Sequence, residues 1–202
     1  MVGNFFSDKR AARRHFESLR RSLSFSEVSA AGALAAERAV AWVRGTTSRT
    51  VALFAAQPFE LPTAPILGAL QAHEIAVVFP RVRKGDRVLA WYRVTEWSQL
   101  EPGTIGLLEP RRELPEVNLA DIECFIVPGV AFGRDGSRLG RGGGYYDATL
   151  AARRSGARTL GLGLDLSVVE ALPVDAHDVF IEAICTPTQV IHCQNRSHNL
   201  LT

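Results

Sequence analysis

Ten residues from Arg138 to Asp147, RLGRGGGYYD, combine two arginines, four glycines, two tyrosines and one carboxylate. Glycines leave backbone amides bare, so that an anion can approach them closely. Arginine guanidinium groups donate forked hydrogen bonds to phosphate oxygens, and a carboxylate such as Asp147 can hold Mg²⁺ directly or through a bound water. A helix predicted to begin at Tyr145 adds free amides that favour anions. This combination indicates a cradle for the phosphates of ATP.

The stretch matches neither of two common nucleotide-binding motifs. No GK[ST] sequence occurs, which excludes a P-loop. The dinucleotide fingerprint also fails, because Tyr145 and Leu166 stand where motifs starting at Gly140 and Gly161 need their third glycine. A glycine-rich segment can also be a flexible connection, but the arginines, tyrosines and helix-start acid favour a ligand site.

The elements around this stretch predict an α/β fold. Apolar runs of buried-strand length are expected at 50–55, 75–80, 122–132, 159–164 and, as the last strand, 181–185. A hairpin strand near the edge of the sheet is expected at 88–94, and an irregular segment at 96–115. Helices are expected at about 8–23, from a Ser26 cap to 45, at 65–73 and at 145–154. This alternation predicts a mostly parallel central sheet with helices on both faces, Rossmann-like, in a single compact domain over residues 1–202 with a polar tail from about 192. In such sheets ligands bind beyond the carboxyl ends of the strands, where the stretch begins.

The composition narrows the class of protein. The chain is 47% hydrophobic and 22% charged with a net charge of +2, which is typical of a globular protein and too balanced for a nucleic-acid binder. No apolar run approaches the roughly 18 residues that a membrane helix needs. The three cysteines are far apart, which favours buried thiols in a reducing compartment. We therefore expect a cytoplasmic monomer that binds small molecules, and neither nucleic acid nor membrane.

The segment Val127–Asp147, VPGVAFGRDGSRLGRGGGYYD, resembles the signature of the 5-formyltetrahydrofolate cyclo-ligase family, roughly PG-hydrophobic-AF-x-x-x-G-x-RLG-x-G-x-GYYD. Weaker similarity extends over nearly the whole chain. The matching positions are Lys9 and Arg13 (K-x-x-x-R), Glu60 and Thr63 (E-x-x-T), 80–82 (P-R-V), Gly106 with 109–110, and 172–173 followed by His177 and Asp178 (L-P-x-x-x-H-D).

The resemblance implies that ATP and 5-formyltetrahydrofolate give 5,10-methenyltetrahydrofolate, ADP and phosphate, with Mg²⁺ as the metal. The formyl oxygen attacks the γ-phosphate, N10 of the folate attacks the resulting iminium phosphate, and phosphate leaves. No protein nucleophile is required, so positioning and charge neutralisation carry the catalysis.

The resemblance also assigns residues. The implied catalytic cations are Lys9, Arg13 and Arg141. The implied ATP contacts are Lys9, Arg10, Arg13, Arg138, Leu139, Gly140, Arg141, Gly142, Gly143, Gly144, Tyr145 and Tyr146. The implied substrate contacts are Ala55, Glu60, Arg81, Tyr145 and Tyr146, and the implied metal ligands are Asp147 and Asp178. Phe132 and the two tyrosines can stack on a pterin or adenine, and Arg81 can pair with the glutamate tail of the folate.

Several of these residues have plainer alternatives. Lys9 and Arg13 share a helix face, which can be a solvated basic face. Arg81 can form a surface ion pair, Asp178 can cap a helix, and one tyrosine can belong to the core. The family often has Phe and Gln where this chain has Leu164 and Ser167, a departure that bears on substrate positioning.

Three other functions remain open from the residues alone. The first is a diverged phosphate- or nucleotide-binding α/β protein. The second is an RNA-binding module that uses the Arg-rich first helix. The third is an enzyme on a similar sheet that handles a sugar phosphate or CoA, since fold does not determine function.

Overall fold

The computed structural model describes residues 6, 8–103 and 106–194. Within them, the helices are α1 (Lys9–Arg21), α2 (Phe25–Gly45), α3 (Ala64–Gln71) and α4 (Tyr145–Ala151). The strands are β1 (Thr50–Ala52), β2 (Ala76–Arg81), β3 (Ala90–Arg93), β4 (Leu100–Pro102), β5 (Leu108–Pro110), β6 (Glu116–Val117), β7 (Cys124–Pro128), β8 (Ala131–Gly133), β9 (Arg138–Leu139), β10 (Arg158–Leu162), β11 (Val168–Val169), β12 (Ala183–Cys185) and β13 (Val190–His192).

An eight-stranded sheet forms the centre, in the order β13-β12-β10-β7-β1-β2-β3-β6. Its five middle strands, β12 to β2, are parallel, and antiparallel strands flank them at both edges. When these five strands alone are numbered along the chain, their spatial order β2-β1-β7-β10-β12 reads 2-1-3-4-5, which is a doubly wound topology. The direction of winding changes between β1 and β7, and a ligand crevice is expected at the carboxyl ends of these two strands.

Successive apolar side chains in a strand point to opposite faces of the sheet, so that helices can pack against both faces. In β1, Val51 packs in the core cluster that contains α2 and α3, whereas Ala52 packs in the cluster that contains Leu150 of α4. This alternation follows from the two-residue period of a strand. The predicted α/β fold, with a mostly parallel sheet and helices on both faces, is confirmed.

Local capping determines where the first two helices begin. The Asp8 side chain accepts a hydrogen bond from the Ala11 amide and caps α1. Ser24 and Glu27 form a reciprocal capping box at the start of α2, so the prediction that Ser26 caps this helix was wrong. A box satisfies two otherwise free backbone donors, which a lone hydroxyl at Ser26 does not. No helix among the described residues is long and apolar enough to cross a membrane.

The structure corrects three strand predictions. The apolar run 122–132 contains two strands, because the chain leaves the main sheet at Gly129, and β8 pairs with β9 and β11 in a three-stranded sheet. The segment 96–115, expected to be irregular, contains the antiparallel pair β4 and β5. A further strand, β13, follows the one predicted as last, so residue 192, where the polar tail was expected to begin, ends a strand. Residues 195–202 of the predicted tail lie outside the described residues.

Candidate functional site

A cleft of about 880 Å³ opens at the carboxyl ends of β1 and β7, where the winding of the sheet changes direction. Its volume lies at the upper end of the range for small-molecule sites, roughly 300–1,000 Å³. All the predicted site residues line this cleft except Arg81 and the candidate stacking residue Phe132. The lining residues are Lys9, Arg10, Arg13, Ala55, Glu60, Arg138, Leu139, Gly140, Arg141, Gly142, Gly143, Gly144, Tyr145, Tyr146, Asp147 and Asp178, together with apolar side chains such as Leu89, Leu107 and Val130.

Helix α1 carries three cations to the lining of the cleft, Lys9, Arg10 and Arg13, and two of them have specific partners there. Lys9 Nζ lies 2.7 Å from Asp175 Oδ2 and also donates to Asp178 Oδ2. One turn later, Arg13 Nε donates to the Gly140 carbonyl at 2.8 Å. Lys9 and Arg13 therefore line the cleft, where they have specific partners, and these two side chains do not form a solvated basic face.

Lys9 and the two aspartates beside it form a cluster in which the pKa values of Lys9 and Asp175 are shifted. Burial lowers the pKa of the Lys9 ammonium, but hydrogen bonds and charges from Asp175 and Asp178 outweigh it, so the pKa lies above its ordinary value. The hydrogen bond from Lys9 lowers the pKa of the Asp175 carboxyl. Both groups are therefore charged at neutral pH.

The contribution of Asp175 to stability should diminish in acid. Its carboxyl has a depressed pKa in the folded state, so it stabilises the fold above its ordinary value of 3.8 and loses that effect as pH falls through the lower, folded value. We expect Asp175→Asn to be less stable than wild type at pH 7, by a small amount because the side chain is exposed, and the difference to shrink at low pH. Urea unfolding of both proteins at pH 7 and about pH 3 measures this, and a difference independent of pH would contradict it.

The glycine-rich stretch takes a backbone path that its sequence explains. Gly142 and Gly144 have φ angles of +103° and +71°, which residues with a Cβ adopt only at a cost in conformational energy. Gly144 is the N-cap of α4, a helix of only seven residues. The donors that this stretch offers to an anion are therefore the amides and guanidinium groups of the loop, and a helix dipole adds little.

Arg138 and Asp147 have other partners than those expected from the sequence. The Arg138 side chain is 2% exposed, and its Nη2 lies 2.8 Å from Asp147 Oδ1. Arg138 also donates to the Pro128 carbonyl, and Asp147 Oδ1 accepts from the Val179 amide. The pair bridges β9 to the first turn of α4. In this structure each side chain neutralises the other, and the contacts of Arg138 with phosphate and of Asp147 with metal stay predictions.

Glu60 lies between two arginines. Its Oε1 accepts a hydrogen bond from Arg141 Nη2 at 2.9 Å and lies 3.9 Å from Arg20 Nη1. Its Oε2 accepts the Gln57 amide at 2.9 Å. The Glu60 side chain is largely buried, whereas that of Arg141 is 49% exposed. The carboxylate is thus held from the protein side and covered from the cleft side by a cation that solvent can reach.

Arg81 does not line the cleft, and its contact with substrate stays a prediction. Its Nη1 donates to Glu101 Oε1 at 3.0 Å and to the Pro110 carbonyl, and its Nε lies 3.6 Å from Glu109 Oε2. These partners belong to β4 and β5, so Arg81 ties this hairpin to the end of β2. Arg81 thus forms ion pairs with Glu101 and Glu109, in line with the alternative to a substrate contact.

Two of the three candidate aromatic rings, Tyr145 and Tyr146, line the cleft. Phe132 is fully buried, and a Cβ added at Gly161 would lie 2.5 Å from its ring, which explains that glycine. The Tyr146 hydroxyl is buried, and burial raises the pKa of this phenol. Tyr145 is only partly buried and lines the cleft. Phe132 and the hydroxyl end of Tyr146 therefore belong to the core.

The sequence-based prediction missed Arg20. Arg20 follows Ala12 and Phe16 at intervals of four residues, so it lies on the buried face of α1 and its side chain is 5% exposed. A cation at a core position signals a buried partner, and this signal was present in the sequence. Asp175 was also missed, and no local pattern marks it.

The doubly wound sheet and the cation-lined cleft at its change of direction define an α/β protein with a ligand site at the strand ends. A model of the 5-formyltetrahydrofolate cyclo-ligase family matches residues 6–187. The chain belongs to this family of enzymes.

Individual relatives agree with this assignment. The chain is 31% identical over 176 residues to 5-formyltetrahydrofolate cyclo-ligase of Escherichia coli K12, covering 85% of this chain and 96% of that protein. The structure of Aquifex aeolicus 5,10-methenyltetrahydrofolate synthetase superposes with a TM-score of 0.79 at 28% identity, over 93% of each chain. A Mycoplasma pneumoniae 5,10-methenyltetrahydrofolate synthetase shares the fold, with a TM-score of 0.73 at 24% identity over 89% of this chain and 99% of that one.

Proposed function

We propose that this enzyme converts 5-formyltetrahydrofolate to 5,10-methenyltetrahydrofolate with ATP as co-substrate, and that the cleft at the ends of β1 and β7 is its active site. One observation carries the proposal. Cations from α1 and from the glycine-rich stretch converge on the same cleft as Glu60, although these segments are far apart in the chain. The volume of the cleft suits a nucleotide and a second ligand together.

The phosphates belong on the side where α1 meets the glycine-rich stretch. Lys9, Arg13 and Arg141 supply positive charge there, and the amides around Gly142 supply neutral donors. Arg13 is already held in place by the Gly140 carbonyl, so its orientation costs little on binding. We assign Arg138 a structural role behind this surface, as the buried partner of Asp147.

A metal ion bound with the nucleotide would be held by side chains of the segment 175–178. Asp175, His177 and Asp178 have ligand atoms within 4.8 Å of one another. Mg²⁺ prefers carboxylate oxygens and keeps waters and phosphate oxygens as its other ligands, so the two aspartates suit it and the imidazole does not. When bound, it would neutralise charge on the phosphates. Lys9 contacts both aspartates and so links this cluster to the phosphate side.

The folate belongs on the side of Glu60. This carboxylate can accept hydrogen bonds from N–H groups of a reduced pterin, and Ala55, Leu89 and Tyr145 provide apolar contacts around it. In this arrangement the formyl oxygen faces the cations that hold the γ-phosphate. Phosphoryl transfer to that oxygen, attack by N10 and release of phosphate then proceed between the two substrates.

The protein needs no nucleophile of its own for this chemistry. Burial raises the pKa of the Cys124 and Cys185 thiols to about 12, which leaves them protonated at neutral pH. The side chains that line the cleft are instead cations, carboxylates, other polar groups and apolar groups. Their contribution is to align the reacting atoms, neutralise the transferred phosphoryl group and exclude water.

An absorbance assay tests the proposal. With 5-formyltetrahydrofolate, ATP and Mg²⁺, we expect the absorbance band of the methenyl product to grow, and we expect no growth with ADP in place of ATP or after EDTA removes the metal. Circular dichroism verifies that the protein is folded in each case. Folded protein that produces no methenyl band with the complete mixture would overturn the proposed function.

A further inference from the structure

Glu60 has two arginine partners that differ in how firmly they are held. Arg20 is 5% exposed, and its guanidinium donates to the Gly129 carbonyl and lies 3.5 Å from Ser167 Oγ. Arg141 is 49% exposed and, among its described contacts, is held by Glu60 itself. One cation is therefore fixed behind Glu60, and the other is free to turn towards a ligand.

Charge balance makes Arg20 and Glu60 depend on each other. Among the described residues, Glu60 is the one carboxylate within 4.0 Å of the Arg20 guanidinium, and the other partners of Arg20 are neutral. A buried charge that loses its counter-ion is strongly unfavourable. Glu60 retains Arg20 as a counter-ion even when Arg141 is elsewhere.

In the proposed function Arg141 binds the phosphates of the nucleotide, and it then no longer covers Glu60 Oε1. We propose that Arg20 is a positioning residue that holds the Glu60 carboxylate in place after Arg141 leaves, so that Oε1 is exposed to the folate. Arg20 acts only through Glu60, since it does not line the cleft. This inference rests on the proposed function, in which Glu60 binds the folate.

Steady-state kinetics of Arg20→Met, Arg20→Lys and Glu60→Gln test this role. Methionine removes the charge at similar length, and we expect the KM for 5-formyltetrahydrofolate to rise at least about tenfold, as for a lost charged contact, with the KM for ATP within about twofold. Lysine keeps the charge but not the fork of donors, so it should restore part of the folate affinity. Arg21→Met, one residue along α1 and exposed, is the matched control and should leave both KM values unchanged.

The double variant separates a positioning role from a merely structural one. If Arg20 acts through Glu60, Arg20→Met in a Glu60→Gln background should add no further rise in the folate KM. A lower melting temperature for Arg20→Met with an unchanged folate KM would overturn the inference, as would losses that multiply in the double variant. If Arg20→Met does not fold, Arg20→Lys provides the test, because a wild-type folate KM in Arg20→Lys also overturns the inference.

The same variants distinguish this inference from the proposed function. A Glu60→Gln enzyme with a wild-type folate KM would remove the assigned role of Glu60, and the inference with it. A raised folate KM in Glu60→Gln but not in Arg20→Met or Arg20→Lys would overturn the role of Arg20 alone.

Discussion

Arg141→Ala should lower the turnover rate with ATP about 10²- to 10³-fold, the usual loss when a preorganised donor to the reacting group is removed. The stability of the protein should change little, because the Arg141 side chain is 49% exposed and its ion pair with Glu60 is open to solvent on the arginine side. Exposed ion pairs contribute about 0–1 kcal/mol. For a chain of this length that corresponds to a shift in melting temperature of at most about 4 °C.

Two controls make the Arg141 result specific. Arg112→Ala removes an exposed arginine that does not line the cleft and should leave turnover unchanged. Arg141→Lys keeps a positive charge without the forked geometry and should recover only part of the rate. Parallel losses of melting temperature and turnover in Arg141→Ala would argue that Arg141 supports the fold and does not face the nucleotide.

The largest effect on stability is expected for Arg138→Met, at about 3 kcal/mol or more, as for other broken buried pairs. The substitution leaves the Asp147 carboxylate, which is 17% exposed, without its counter-ion and also removes the hydrogen bond to the Pro128 carbonyl. The melting temperature should fall by roughly 10 °C. Thermal unfolding followed by circular dichroism measures this directly.

The double variant Arg138→Met/Asp147→Asn should regain part of the lost stability, because no buried charge is then left unpaired. Arg134→Met is the matched control. Arg134 pairs with Glu170 at 3.5 Å, but these side chains are 44% and 70% exposed, so the loss should not exceed about 1 kcal/mol. An Arg138→Met protein with wild-type stability and weakened ATP binding would instead support the contact with phosphate that the sequence suggested.

The sequence was sufficient for features that depend on residues close together in the chain. Apolar runs of buried-strand length predicted the strands of a parallel sheet, and a first helix was expected at about 8–23, where α1 spans Lys9–Arg21. The glycines of the stretch from Arg138 to Asp147 indicated an unusual backbone, which Gly142 and Gly144 adopt. Such features follow from backbone conformation and side-chain period, which are local properties.

The tertiary structure decided which charges are paired and which remain for a ligand. Lys9 meets Asp175 across 166 residues of sequence, and Arg141 meets Glu60 across 81. Nothing in the residue types distinguishes Arg138, whose side chain is 2% exposed, from Arg141, whose side chain three positions later is 49% exposed. A guanidinium group has the same donors in either place, and only the packing of distant segments determines whether a carboxylate or solvent lies in front of it.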